Sequence, residues 1–128
     1  IYILFKYFEH PFLFHMKKTY RLKKKSEIDA VFKPRKAVKN EYFSIYYIPT
    51  NQEHFKFALS IGKKYGNAVQ RNLIKRRIRM IIHQNQGTIK RTMQFVVVVH
   101  PKSAMLTFSQ INEQMIKLLT KANIMEKT

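Results

Sequence analysis

The 128-residue sequence predicts an α/β sandwich of one domain, in the order α-β-β-α-β-α with a short extra strand at 37–40. Three observations carry that prediction. Residues 55–61, FKFALSI, alternate large and small side chains with period two. Residues 94–101, QFVVVVHP, are apolar on both faces, as a buried strand requires. Between them, residues 68–83 carry an apolar stripe at helical spacing beside a cationic face.

Taken in order, Ser26 is an N-cap for a short helix in which Ile28, Val31 and Phe32 share a face, and Pro34 ends it. Residues 42–48, YFSIYYI, are aromatic and β-branched and stop at Pro49-Thr50-Asn51, so they form a strand followed by a turn. Tyr42, Ser44 and Tyr46 fall on one face of it and Phe43, Ile45 and Tyr47 on the other. In the next strand, Phe55, Phe57, Leu59 and Ile61 are expected to face a core. Lys56, Ala58 and Ser60 should then leave a shallow open surface that Tyr46 joins. Gly66-Asn67 breaks the chain and caps the helix 68–83, which ends in the region 85–87. A last helix is expected over 103–122, with Ile111, Met115, Leu118 and Leu119 as its stripe.

Composition narrows the function. Lys and Arg number 25 against 7 Asp and Glu, giving a formal net charge of +18, and there is no Cys. The missing cysteine excludes a disulfide framework, a zinc finger and a thiolate nucleophile, and favours a reducing, cytoplasmic setting. A charge this one-sided repels itself unless a polyanion lies against it, and nucleic acid is the commonest such partner. An anionic membrane is the rival, but the chain shows no amphipathic or lipidated anchor. Residues 54–112 contain no acid and eleven Lys and Arg, and residues 17–39 hold ten more against Glu27 and Asp29.

Residues 1–15, IYILFKYFEHPFLFH, are too short and interrupted for a membrane span and lack the features of a signal peptide. They are expected to be a non-native or disordered upstream extension, with the native protein starting at Met16, a domain over 16–123 and a flexible tail at 124–128. Because Lys6 and Glu9 cancel, the remaining 113 residues keep the whole net charge.

The chemistry concentrates in KKYGNAVQRNLIKRRIRMII, residues 63–82. With Arg71 at zero and about 100° per residue, Lys75, Arg79, Asn72 and Arg76 fall near 40°, 80°, 100° and 140°. Ile81, Ile74, Ile78 and Ile82 form a separate stripe between about 280° and 20°. Four cations on one face destabilise a helix unless something compensates, and no acid at i±4 does so here. Phosphate oxygens would, through charge-assisted bonds to Arg, with Asn72 adding a donor and an acceptor. A solvated basic face is the blander alternative. Arg77 lies off this face, at its periphery.

The string K-K-x-G-N-A-V-x-R-N-x-x-K-R-x-x-R, residues 63–79, resembles the signature of the protein subunit of bacterial ribonuclease P. The resemblance extends through MKKTYRLKKKSEIDAVF, YFSIYY, KFALSIGKK and VVVVHPKSA, and so covers about 16–122. It implies a single-domain αβββαβα sandwich of the ribosomal protein S5 domain 2 type with a left-handed βαβ crossover. It also implies an endoribonuclease in which a catalytic RNA holds the Mg²⁺ ions and removes the 5′ leader of precursor tRNA. The protein, a monomer within that ribonucleoprotein, would have no catalytic or metal-ligating residue of its own. Carried over by position, Lys63, Lys64, Asn67, Arg71, Asn72, Lys75, Arg76 and Arg79 would bind the catalytic RNA. Ile28, Phe32, Tyr46, Lys56 and Ser60 would line a cleft for the single-stranded leader. Ile28 departs from the family's usual Phe and removes one stacking platform.

Other readings fit less well. His54, His83 and His100 are scattered, the acids form no paired pattern, and Gly62-Lys63-Lys64 is no P-loop, so an independent nuclease lacks its parts. A DNA-binding domain would show a helix-turn-helix pair where this chain has β-rich sequence. A structural RNA binder of the ribosomal-protein kind stays open; its discriminating observation is co-purification with ribosomal RNA.

Overall fold

In the computed structural model, which describes residues 20–126, helix α1 (Lys25–Phe32) precedes strands β1 (Ala37–Lys39), β2 (Phe43–Pro49) and β3 (Lys56–Ile61). Helix α2 (Ala68–Gln84), strand β4 (Met93–Val99) and helix α3 (Phe108–Lys121) follow. The upstream extension, the start at Met16 and residues 127–128 lie outside the described residues.

The sheet order is β1-β2-β4-β3, so the valine run of β4 lies between two strands, as its two apolar faces require. β2 pairs with β4 antiparallel, Tyr46 opposite Val96 and Ser44 opposite Val98. β3 pairs with β4 parallel, Ala58 opposite Val96 and Ser60 opposite Val98. On one face Phe43, Ile45, Phe57, Phe95 and Val97 pack against Ile74, Ile78, Ile81 and Ile82 of α2 and Ile111, Met115 and Leu119 of α3. The predicted stripes of both long helices are buried there.

The hand of the β3-α2-β4 crossover follows from one hydrogen bond. Phe57 turns its ring to the α2 side, and its carbonyl accepts from the Leu22 N–H at 2.9 Å, away from β4. Viewed from α2 with β3 running upward, an L-residue whose side chain points at the viewer directs its N–H and C=O to the right. β4 therefore lies to the left. A chain that rises in β3, descends in front and rises again to the left makes a left-handed turn, against the usual rule.

Four expectations need correction. The face carrying Ala58 is not simply open. Helix α1 must bury its own stripe and lies on that face, packing Val31 (0% exposed) on Val96 (1%), with Leu22, Ile28, Phe32 and Tyr46 around them. The N-cap position of α1 is Lys24, not Ser26; the helix starts two residues earlier, with Glu27 accepting from the Lys24 N–H at 3.4 Å. The last helix starts at Phe108, because Ser103 closes a 3-10 turn (Pro101–Met105) by donating to the His100 carbonyl, leaving Thr107 as the cap. Residues 124–126 are no loose tail. Ile124 (0%) and Met125 are buried, Met125 bridges Ile89, and the Lys90 N–H donates to the Ile124 carbonyl at 2.8 Å.

Candidate nucleic-acid interface

The cationic helix is set by a cap that the sequence encodes closely. Asn67 accepts from the Gln70 N–H at 2.9 Å, and Gln70 accepts from the Asn67 N–H at 2.9 Å. A Cβ on Gly66 would come within 2.1 Å of Gln70 Oε1, so only glycine leaves room for this reciprocal cap. Asn67 thus uses its side-chain oxygen inside the protein. Lys63 and Lys64 stand exposed on the preceding 3-10 turn (Lys63–Tyr65). Along α2, Asn72 is exposed, and Arg71, Lys75, Arg76 and Arg79 are half-buried beside the buried isoleucines. Arg71 Nε also donates to the Asn67 carbonyl at 3.4 Å, a long bond that orients the guanidinium along the first turn.

Arg77, peripheral to the main face, lies toward Tyr65, whose hydroxyl is pushed above its ordinary pKa by burial while the Arg77 charge opposes that shift. Val69 (76% exposed) and Leu73 sit exposed on the same helix, at about 160° and 200° beside Arg76. The charge spacing of the helix does not predict them.

A second group gathers on the opposite face of the sheet. Phe32 of α1 and Tyr46 of β2 meet with ring centroids 4.7 Å apart at 57°, and Lys39 Nζ lies 5.2 Å from the Tyr46 centroid. Ile28 packs in the same cluster. Lys56, half-buried, and Ser60, exposed, flank Ala58 on this face of β3. Ile28, Phe32 and Tyr46 thus belong to one partly buried cluster under α1, and Lys56 and Ser60 lie on the same face of the sheet along β3. Two polar pairs there were not foreseen. Ser44 Oγ and His100 Nε2 are 2.7 Å apart, and Gln94 Nε2 donates to Gln52 Oε1 at 2.8 Å. Alternation places Ser44 and Gln94 on this face, but their partners come from distant segments.

Arg79 joins the two groups. It lines a half-open cavity of about 160 Å³ together with Arg21, Leu22, Ile28 and the 57–59 segment of β3. Burial, and then the neighbouring Arg21 charge, hold its pKa below the ordinary arginine value. Among the described residues, no three His, Asp or Glu come together as a metal site would need, and no helix is long and apolar enough to cross a membrane.

These features define a small, strongly basic α+β protein with a cationic helix on one side of its sheet and an aromatic pair beside a second helix on the other. Residues 16–123 match the family model of ribonuclease P, and the chain belongs to that family. It is 50% identical over 112 residues to the ribonuclease P protein component of Acholeplasma laidlawii, covering 88% of this chain and 97% of that one. It is 39% identical over 113 residues to the protein component of Limosilactobacillus fermentum, covering 88% and 99%. Among solved structures, the Staphylococcus aureus RNase P protein superposes with a TM-score of 0.77 at 30% identity, covering 84% of this chain and 98% of that one. The Thermotoga maritima protein gives 0.73 at 27%, covering 79% and 96%.

Proposed function

We propose that this chain is the protein subunit of bacterial ribonuclease P and acts in the cytoplasm, one copy within a ribonucleoprotein, in tRNA 5′ maturation. The cationic face of α2, with Lys63 and Lys64, binds the catalytic RNA. The trough between α1 and the sheet holds the single-stranded 5′ leader of precursor tRNA, and the complex hydrolyses the phosphodiester that releases it. The observation that carries this reading is the placement of α2 and the trough on opposite faces of one sheet, joined at Arg79. One small protein can thereby touch two RNA strands at once. Sequence-tolerant stacking on Phe32 and Tyr46 suits a protein that handles many leaders.

Among the described residues no three acids or histidines converge as a Mg²⁺ site in the protein would need. In this reading the catalytic RNA holds the ions, and the protein's part is electrostatic and positional. Neutralising phosphates near the RNA's metal sites lowers the cation concentration the RNA needs. Reconstitution with the catalytic RNA at near-physiological Mg²⁺ tests this. Precursor-tRNA cleavage should rise strongly when the protein is added; cleavage that stays at the RNA-alone rate would sink the reading, and stoichiometric capture of ribosomal RNA instead would favour a structural RNA binder.

A further inference from the structure

The outermost face of α2 is apolar where the fold does not require it. Val69 and Leu73 are exposed at 76% and 44%, one helical turn apart. With Arg71 again at zero and about 100° per residue, Asn72, Arg76, Val69 and Leu73 fall near 100°, 140°, 160° and 200°. Their mean direction lies about 180° from the buried isoleucine stripe of the same helix, so no core contact accounts for the apolar pair. The spacings i, i+3, i+4 and i+7 make the four residues surface neighbours. They form a parallelogram with Val69 and Leu73 along one side and Asn72 and Arg76 along the opposite one.

We propose that this parallelogram holds one unstacked nucleobase of the catalytic RNA, its face on Val69 and Leu73 and its edge toward the exposed Asn72 amide. The assignment rests on the function proposed above and adds two apolar residues to a surface predicted from cations and an amide. Whatever covers this face must meet both the cations of α2 and an apolar pair set among them. A nucleotide does both, since its phosphate is anionic while its base carries an apolar face and a hydrogen-bonding edge. Paired RNA does not present that face, because its bases stay stacked inside an A-form helix; an unpaired base turned out of the stack does. The Asn72 side chain has both a donor and an acceptor to offer the base edge, the complement that an adenine edge requires. Apolar burial releases no counterions, so this contact is separable from the phosphate contacts around it.

Assembly isotherms of the full chain with the catalytic RNA across a salt series test the proposal. The double variant V69T/L73Q should weaken assembly about tenfold, the scale of one apolar side chain buried at an interface, with the slope of log K against log salt unchanged. M105Q removes another exposed apolar side chain, on the 3-10 turn before α3, and should leave assembly unchanged. N72A and L73Q should combine to less than the product of their separate effects, because both act on one base. Probing the catalytic RNA with dimethyl sulfate and a carbodiimide reads the occupant directly. At least one unpaired base protected by the wild-type protein should become reactive with V69T/L73Q while backbone protections persist. Equal assembly of wild type and double variant, an equal loss in M105Q, a changed salt slope or strictly multiplicative losses in N72A and L73Q each overturn the assignment. So does a wild-type complex that protects no unpaired base, whether or not a variant folds. Wild-type protein that assembles and stimulates cleavage no better than V69T/L73Q removes this contact alone, whereas wild-type protein that does neither removes the proposed function.

Discussion

Tyr46 has two neighbours competing for its ring, Phe32 at 4.7 Å and the Lys39 ammonium at 5.2 Å. A cation over an exposed ring contributes about 0.5–1 kcal/mol, whereas a stacked base contributes about 1–3 kcal/mol. Under the proposed function, a leader base stacked on Tyr46 would outcompete Lys39 for the ring. Tyr46→Leu is expected to weaken precursor-tRNA binding by about 1–3 kcal/mol with little effect on leaderless tRNA, and Tyr46→Phe to keep most of the affinity. Equal dissociation constants for wild type and Tyr46→Leu would remove the stacking role. Strand alternation alone put Tyr46 on this face, and the structure agrees. The place of Arg21 is not legible by the same means: it follows from a bridge to Phe57 at the sheet edge, which no local pattern encodes. At the surface, the hydrogen bond from Lys102 holds the Glu41 carboxyl below its ordinary pKa. Because the folded value is the lower one, this contact stabilises above the unfolded pKa and is lost as pH falls through the folded value. Exposure and salt keep the effect small. Carboxyl NMR should find the Glu41 midpoint moving upward in Lys102→Met; an unmoved midpoint would show that Lys102 does not hold it.

Caps separate the helices that were read well from those that were not. The isoleucine stripe of α2 and the Ile111-Met115-Leu118-Leu119 stripe of α3 are both buried as periodicity predicts, since a stripe sums over many residues. A cap depends on one side chain, and the start of α3 offers three serines and threonines, Ser103, Thr107 and Ser109. Ser103 and Ser26 carry the right chemistry, but the first is committed to a 3-10 turn and the second lies inside α1. Thr107 makes the real contact, accepting from the Gln110 N–H at 3.2 Å while Gln110 accepts from the Thr107 N–H at 2.9 Å. Thr107→Ala should cost about 1 kcal/mol of stability in urea denaturation, and Ser26→Ala no more than about 0.5 kcal/mol. Comparable losses in the two would overturn the reassigned caps. Gly66→Ala belongs with the first: it pushes Gln70 out of its reciprocal bond and should cost about 1 kcal/mol by the same measurement.

For the molecule as a whole, charge was legible from composition, and the left-handed crossover was not readable from residue patterns. Handedness depends on which way Phe57 turns its carbonyl relative to β4, a relation among three segments that periodicity does not contain. The crossover has a consequence for the charge. It leaves α2 near the outer edge of β3, where Arg79 lines the cavity beside Leu22 and Ile28. The cationic face of α2 and the α1 side of the sheet therefore share one boundary residue. Counterion release makes the two separable. Each phosphate contact removed from the holoenzyme should reduce the slope of log K against log salt by about 1, wherever the phosphate belongs. Arg71→Ala and Arg76→Ala should lower that slope for assembly with the catalytic RNA and leave the slope for leader-dependent substrate binding unchanged. Arg79→Ala should lower both, because its guanidinium lies at the junction. Assembly and substrate-binding isotherms across a salt series measure the two slopes, and an Arg79→Ala variant that alters only one of them would dissolve the shared boundary.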